Sequence, residues 1–257
     1  MTGASPRIET YGADADQHIE WWSAAPDAPA ARGTIVLLHG GYWRERFTAE
    51  LMHPLVPSFT ARGWTVANVE YRRGPGAWAA MRDDLASSLA AVRASTLSGG
   101  RLALVGHSVG GQLALLGGEA GDAVVALAPV TDLVRGYHES IGDGAVVEFL
   151  GAAPDALPDT YAAASPLAHV PPRASVLIVH GTDDTRVPIT HTHAYVTACR
   201  SAPGVGVALG PTAPAVTLLE LPHLPHLDAI SPTAPHWPAV HHWLDDWSAL
   251  DRQGRSA

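Results

Sequence analysis

The feature that most constrains the fold of this chain is the glycine-framed serine at residues 106–110, which read GHSVG. An apolar, strand-like run at 101–105 precedes it, and an apolar, helix-like run at 111–116 follows it. A chain that turns sharply from strand to helix crowds its neighbours, so the flanking positions favour residues without a Cβ. The pattern predicts a nucleophile elbow that presents the Ser108 hydroxyl above a sheet edge. For the pentapeptide alone, a glycine-rich helix start without chemistry is the alternative.

A serine hydroxyl is a poor nucleophile at neutral pH, so an elbow of this kind needs a base and an orienting acid. They are expected in the chain order serine, acid, histidine. A buried-strand pattern at 176–181 is followed by two adjacent aspartates, and a last strand pattern at 215–221 is followed by two histidines. These positions fall at the carboxyl edge of the sheet, where open α/β sheets build their sites. The candidates are Asp183 and Asp184 for the acid, and His223 and His226 for the base.

A second motif lies upstream, where the strand-like run 34–38 leads into residues 39–43, which read HGGYW. Acyl transfer needs backbone N–H groups aimed at the developing oxyanion, and removal of one such donor costs about 3 kcal/mol of transition-state stabilisation. Glycines let the backbone approach that closely. The amides of Gly41, Tyr42 and Val109 are the predicted oxyanion hole. An isolated H-G-G is also typical of a tight turn after a strand.

With these motifs the chain resembles an α/β-hydrolase, in particular the kynurenine formamidase (arylformamidase) branch and its esterase-like bacterial relatives. The resemblance spans about 33–230 and rests on HGGYW, GHSVG, HGTDDTRVP and HLDAI. The family pattern H-G-x-x-D-x-x-V-P selects Asp184 over Asp183, and the pattern H-[FL]-D-x-I selects His226 over His223. Many relatives carry alanine at the position of Val109. The difference affects the shape of the pocket but not the backbone amide of this residue.

The resemblance implies a metal-independent serine hydrolase with Ser108, Asp184 and His226 as catalytic triad. It implies an N-formyl aryl amine such as N-formylkynurenine as substrate, hydrolysed to the free amine and formate. A carboxylesterase acting on short acyl esters is the alternative, because one constellation serves both reactions. A third alternative is a non-catalytic ligand-binding relative. The predicted substrate contacts are Gly40, Trp43 and His107. Trp43 could form an aromatic wall of the pocket or belong to the ordinary core. His107 is expected to act by packing and not in proton transfer.

Strand-like and helix-like runs alternate along the chain, which predicts a mostly parallel central sheet flanked by helices. With 257 residues and 47% hydrophobic residues, the chain can build one large α/β domain over 1–257. Residues 131–165 are a predicted small cap insertion, with a loop-helix segment that packs on the surface as the alternative, and 1–6 and 252–257 are predicted to be loose. Further predicted strands are 8–11, 18–22, 64–69 and 123–127, and helical stripes are Met81, Leu85, Leu89 and Val92, and Val240, Trp243, Leu244 and Trp247.

The composition limits the kinds of binding partner that the chain is expected to have. The net charge of −9 disfavours nucleic-acid binding, and no run of about 18 apolar residues predicts a membrane span. The first residues lack a basic segment followed by an apolar one, so the predicted location is the cytoplasm. The small-molecule substrate is the one predicted partner, and a homodimer is left open.

Neither a metal nor another cofactor is predicted, although the chain has 14 histidines. His191 and His193 would diverge on a helix, adjacent His241 and His242 diverge likewise, and no H-E-x-x-H motif occurs. The single cysteine, Cys199, lies in a predicted helix over 190–201 and is expected to be structural.

Overall fold

A computed structural model describes residues 5–29, 31–202 and 216–254 of the protein. The described residues form one sheet in the order β1-β2-β4-β3-β5-β6-β7-β8. Strands β3 to β8 run parallel to one another, whereas β2 lies antiparallel to both β1 and β4. The strands are β1 Arg7–Thr10, β2 His18–Trp22, β3 Gly33–Leu38, β4 Trp64–Val69, β5 Leu102–His107, β6 Ala123–Leu127, β7 Ser175–Gly181 and β8 Val216–Leu221.

Helices cover both faces of this sheet. The α-helices are α1 Val56–Thr60, α2 Trp78–Ala94, α3 Val109–Gly117, α4 Leu133–His138, α5 Ala145–Leu150, α6 Pro158–Ala164, α7 Thr190–Ser201 and α8 Trp237–Gly254. Short 3₁₀ helices occur at Ala49–Leu55, Pro166–His169 and His226–Ile230. The predicted α/β-hydrolase fold, with a mostly parallel sheet flanked by helices, is confirmed.

The central strands are buried on both faces, which explains their unbroken runs of aliphatic residues. Successive residues of β3 point to opposite faces, so Val36 packs with the α2 and α3 side while Leu37 packs with the α1 and α8 side. Both hydrophobic cores therefore meet at the strands whose carboxyl ends carry the candidate site.

The helical stripes behave as predicted. In α2 the residues Met81, Leu85, Leu89 and Val92 are buried, and in α8 the residues Val240, Leu244 and Trp247 are buried while Trp243 packs at the edge of the core. α8 continues to Gly254, so residues 252–254 of the segment predicted to be loose are helical. Residues 1–4 and 255–257 lie outside the described residues.

The predicted cap, 131–165, forms three short helices, α4 to α6. It contacts the loop after β3: Arg44 donates to the carbonyl of Gly142 at 2.9 Å, and a Cβ on Gly142 would lie 2.4 Å from the Tyr42 ring. The insertion therefore covers the loop in which the oxyanion hole is predicted. In the three described ranges, no helix combines the length and the hydropathy that crossing a membrane requires.

Candidate active site

Ser108 lies in a strained turn between β5 and α3, with φ 57° and ψ −113°. L-residues rarely adopt a positive φ, and such strain is often found at functional sites. The turn is closed by glycines on either side. A Cβ on Gly106 would lie 2.0 Å from the carbonyl oxygen of Gly110, and a Cβ on Gly110 would lie 1.9 Å from that of Leu38. The strand-turn-helix context that a nucleophile elbow requires is therefore present around Ser108.

The two residues that the family patterns selected form a buried pair. His226 Nδ1 donates to Asp184 Oδ2 at 2.6 Å, and the two side chains are only 4% and 1% exposed. The other carboxylate oxygen, Oδ1, accepts from the backbone amides of Arg186 and Val187, at 2.9 Å each. Because its Nδ1 is the donor, a neutral His226 ring keeps the free electron pair on Nε2, the nitrogen that can act as a base.

The surroundings of Asp184 keep its carboxyl ionised. Burial raises the pKa of Asp184, but hydrogen bonds from His180 and His226 and from the Val187 amide outweigh burial, and the net pKa lies well below its usual range. His180 Nε2 lies 3.4 Å from Asp184 Oδ2 and 2.9 Å from the Val187 carbonyl. The carboxylate form is the one that the predicted role of Asp184 requires, since it can orient a histidine ring and stabilise an imidazolium.

The other two candidates form a second, exposed pair. His223 Nδ1 donates to Asp183 Oδ2 at 2.9 Å, with side chains 89% and 50% exposed. The hydrogen bond from His223 is the main cause that lowers the pKa of Asp183, followed by one from Thr182. Water surrounds this pair, whereas it is nearly excluded from the pair that includes His226. Burial supports the assignment of Asp184 and His226, which stays a prediction.

His107, which precedes Ser108, contacts the candidate base. Its Nε2 donates to the backbone carbonyl of His226 at 3.0 Å, and the two rings lie 4.6 Å apart. Burial, and then the proximity of His226, lowers the pKa of His107 to about 3, so its ring is neutral. His107 therefore links the segment that carries His226 to the elbow. The side chain is buried, as its interpretation as a packing residue predicted, and its contact with substrate stays a prediction.

The predicted oxyanion hole lies in residues 39–43, here called the HGG loop. A Cβ on Gly40 would lie 3.0 Å from the Ser108 Cβ, so this backbone passes directly beside the serine. Gly41 and Tyr42 both have positive φ, 129° and 55°. Within the described part of the chain, the amides of Gly41, Tyr42 and Val109 donate to no other protein group. The oxyanion hole itself stays a prediction.

One prediction made Trp43 an aromatic wall of the substrate pocket, but the structure buries its ring. Its ring is 2% exposed and stacks on Phe149 of the cap at 5.1 Å, while its Nε1 donates to Gln112 of α3 at 3.0 Å. Trp43 thus joins the HGG loop, the elbow helix and the cap, in agreement with the core interpretation. Its contact with substrate stays a prediction.

Sequence reasoning missed the buried polar residues behind the HGG loop. Glu70 and Arg73 are 3% and 7% exposed and hydrogen-bond at 2.6 Å, and His39 contacts the same carboxylate. The signal available was a charged cluster directly after β4, at the sheet edge that also carries the site.

Two of the histidines that were considered as metal ligands contact different carboxylates. His191 Nε2 lies 2.9 Å from Glu139, and His193 Nε2 lies 2.8 Å from Glu220. Among residues 5–29, 31–202 and 216–254, no group of three or more potential ligands is placed to hold a metal ion. Cys199 is buried, and burial raises the pKa of its thiol to about 11, as expected for a structural cysteine.

The sheet order and the elbow define an α/β-hydrolase of the serine hydrolase type. The family is shown by the sequence itself. Residues 59–210 match the model of the prolyl oligopeptidase family, and the chain belongs to that family. The matched segment includes Ser108 and Asp184, whereas the HGG loop and His226 lie outside it. No curated protein sequence matches the chain.

Solved structures share the fold at low sequence identity. A truncated carbohydrate esterase from gut microbiota is 17% identical, with TM-score 0.74 and coverage of 96% of this chain and 97% of the other. An acetyl ester-xyloside bifunctional hydrolase from Caldicellulosiruptor lactoaceticus is 20% identical, with TM-score 0.74 and coverage of 95% and 98%. Butyrate-bound esterase 2 of Thermogutta terrifontis is 19% identical, with TM-score 0.65 and coverage of 86% and 84%. These likenesses concern the fold.

Proposed function

We propose that the protein hydrolyses small acyl groups through Ser108 as nucleophile, His226 as base and Asp184 as orienting acid. The observation that carries the proposal is the buried His226–Asp184 pair, 2.6 Å between Nδ1 and Oδ2, at the sheet edge that also carries the strained Ser108. A histidine fixed in this tautomer is the base that activates a serine hydroxyl.

In the proposed reaction Ser108 Oγ attacks the substrate carbonyl while His226 Nε2 takes the hydroxyl proton. The amides of Gly41, Tyr42 and Val109 stabilise the oxyanion of the tetrahedral intermediate. The bond to the leaving group then breaks, and His226 gives the proton to the leaving nitrogen or oxygen. Water attacks the acyl-enzyme with His226 again as base, which releases the carboxylic acid and restores Ser108.

We infer a small acyl group because the site is enclosed. Ser108 and His226 are 2% and 5% exposed, and the cap residue Phe149 backs the HGG loop through Trp43. In a fitted pocket each extra methylene of the acyl group would cost about 1–3 kcal/mol. Formyl is the smallest acyl group. Together with the arylformamidase-like motifs, this favours an N-formyl aryl amine such as N-formylkynurenine as substrate.

A carboxylesterase for short acyl esters is the second candidate function. The observation in its favour is that the similar solved structures include an acetyl ester hydrolase and an esterase bound to butyrate. An ester differs from a formyl amide in its leaving group, which the same Ser108 and His226 chemistry can expel.

The deciding experiment is a comparison of kcat/KM for N-formylkynurenine, p-nitrophenyl acetate and p-nitrophenyl butyrate. We expect the formyl substrate to exceed the acetyl one, and the acetyl one to exceed the butyryl one, with Ser108→Ala as the background control. A preference that rises from formyl to butyryl would replace the formamidase proposal by the esterase one. A prolyl dipeptide p-nitroanilide tests peptidase activity, which the family name suggests. Absence of Ser108-dependent turnover on all four would favour a non-catalytic relative.

A further inference from the structure

The HGG loop is held from behind by two hydrogen bonds on consecutive peptide groups. His39 Nδ1 donates to the carbonyl of Gly40 at 2.7 Å, and the Tyr71 hydroxyl donates to the carbonyl of His39 at 2.5 Å. The His39 and Tyr71 rings stack at 4.4 Å with only 13° between their planes, and both side chains are buried. Both peptide planes are therefore fixed by side chains that are themselves buried.

The first of these bonds bears directly on the predicted oxyanion hole. The Gly40 carbonyl and the Gly41 amide belong to one planar trans peptide group, in which C=O and N–H point in opposite directions. A bond that holds the carbonyl toward His39 therefore holds the Gly41 N–H toward the opposite side. With glycine on both sides of this peptide, the backbone could otherwise rotate at little steric cost.

Glu70 in turn fixes His39. Its Oε1 accepts from His39 Nε2 at 2.9 Å and from Arg73 Nη1 at 2.6 Å, while its Oε2 accepts from the Ala49 amide at 2.9 Å. Burial raises the pKa of Glu70, but the hydrogen bond and charge of His39, the Ala49 amide and the Arg73 charge bring it below its ordinary value. The group is a carboxylate, and because both His39 nitrogens donate, the ring carries two N–H protons and forms an imidazolium–carboxylate pair that resists turning.

We propose that Glu70 and His39 are positioning residues that hold the Gly40–Gly41 peptide with its amide turned toward the reacting carbonyl. This inference rests on the proposed function of Ser108. The oxyanion exists only in the transition state and the tetrahedral intermediate, so loss of the lock lowers kcat and leaves KM nearly unchanged.

A second Glu–His pair, partly exposed to solvent, supplies a control. Glu20 Oε2 accepts from His53 Nε2 at 2.7 Å and from Asn68 Nδ2 at 2.8 Å, on the neighbouring strand β2. Within the described residues this pair makes no hydrogen bond to the HGG loop. Glu20→Gln and Glu70→Gln each remove one carboxylate charge, the former at a more exposed site, and only Glu70→Gln removes a hydrogen-bond partner of His39.

The experiment measures kcat and KM of both variants on the best substrate, together with the inhibition constant of an arylboronic acid. Boronic acids form a tetrahedral adduct with a reactive serine, so their affinity reports on oxyanion stabilisation. Loss of a whole donor typically costs 10²–10³-fold, and a misdirected one costs less, so we expect Glu70→Gln to lower kcat about 10- to 100-fold. KM should stay within about threefold, the boronate constant should rise in parallel with the loss in kcat, and Glu20→Gln should stay within about twofold in all three.

A second variant covers the case in which Glu70→Gln does not fold. Tyr71→Phe removes one hydroxyl and keeps the ring stack, and it should lower kcat three- to tenfold with KM unchanged. Values of kcat within twofold of wild type in the folded variants would overturn the inference, even if thermal stability falls.

A failure of the proposed function can be distinguished from a failure of this inference. If wild type shows no Ser108-dependent turnover, crystal structures of the Glu70→Gln and Glu20→Gln variants decide the inference. A Gly40 carbonyl turned away from its wild-type direction in Glu70→Gln alone supports the lock, and an unchanged direction overturns it.

Discussion

Two Asp–His pairs lie side by side at the carboxyl edge of the sheet, and they differ in almost nothing except their surroundings. Both bond Nδ1 to Oδ2, at 2.9 Å for Asp183–His223 and 2.6 Å for Asp184–His226. The histidine side chains are 89% and 4% exposed, respectively. Residue type and pair geometry therefore do not distinguish the two pairs. Exclusion of water does, and for the proposed catalytic pair it would strengthen the bond to the ring and fix the orientation of the ring.

The local backbone explains why neighbouring aspartates take opposite environments. Asp184 turns inward because the Arg186 and Val187 amides offer donors to its Oδ1, and His226 begins a 3₁₀ helix that packs against β7. His223, by contrast, has φ 55° at the end of β8 and projects outward. Alanine or asparagine variants of the two pairs provide a direct test of this contrast.

The largest effect is expected from the histidines. His226→Ala should lower kcat by a factor on the order of 10⁴ or more, because the serine loses its base. His223→Ala should change kcat less than twofold, since its ring faces water. Steady-state rates of the purified variants, with circular dichroism to verify folding, provide the measurement. If the ratio is reversed, the exposed pair is the functional one and both assignments must be exchanged.

The aspartates should give a similar but smaller contrast. Asp184→Asn keeps the shape of the side chain but removes the charge that stabilises the imidazolium, and we expect kcat to fall about 10³- to 10⁴-fold with KM within threefold. Asp183→Asn should stay within twofold of wild type. A loss of only tenfold for Asp184→Asn would mean that this residue has a structural role.

Sequence reasoning predicted the parts of the site that depend on local geometry. Gly106 and Gly110 were predictable because their requirement, a tight turn without Cβ atoms, is a property of the turn itself. Spacing alone could not choose between Asp183 and Asp184, because both follow the same strand and differ only in which way the chain turns them.

Glu70 was missed for a related reason. Its function depends on contacts to His39 and Ala49, which are 31 and 21 residues away along the chain. A charged residue next to a strand usually faces water, so only the folded structure identifies this one as buried.

The smallest effect concerns stability, and it extends the contrast to His107. Burial lowers the folded-state pKa of His107 to about 3, whereas an unfolded histidine titrates near 6.5. Between these values the unfolded chain binds a proton that the folded protein does not, so acidification below about 6.5 destabilises the fold through this residue. The slope approaches about 1.4 kcal/mol per pH unit once the unfolded ring is fully protonated.

Urea unfolding of wild type, His107→Gln and His223→Gln at pH 7.5, 6.0 and 5.0 measures this effect. His107→Gln keeps an amide donor for the His226 carbonyl but cannot titrate, so its free energy of unfolding should fall less steeply with acidification, by about 1 kcal/mol between pH 6.0 and 5.0. His223→Gln serves as the comparison at an exposed site. Equal slopes for wild type and His107→Gln would mean that the His107 ring is solvated in the folded protein, and the contrast between buried and exposed histidines would then not extend beyond the two Asp–His pairs.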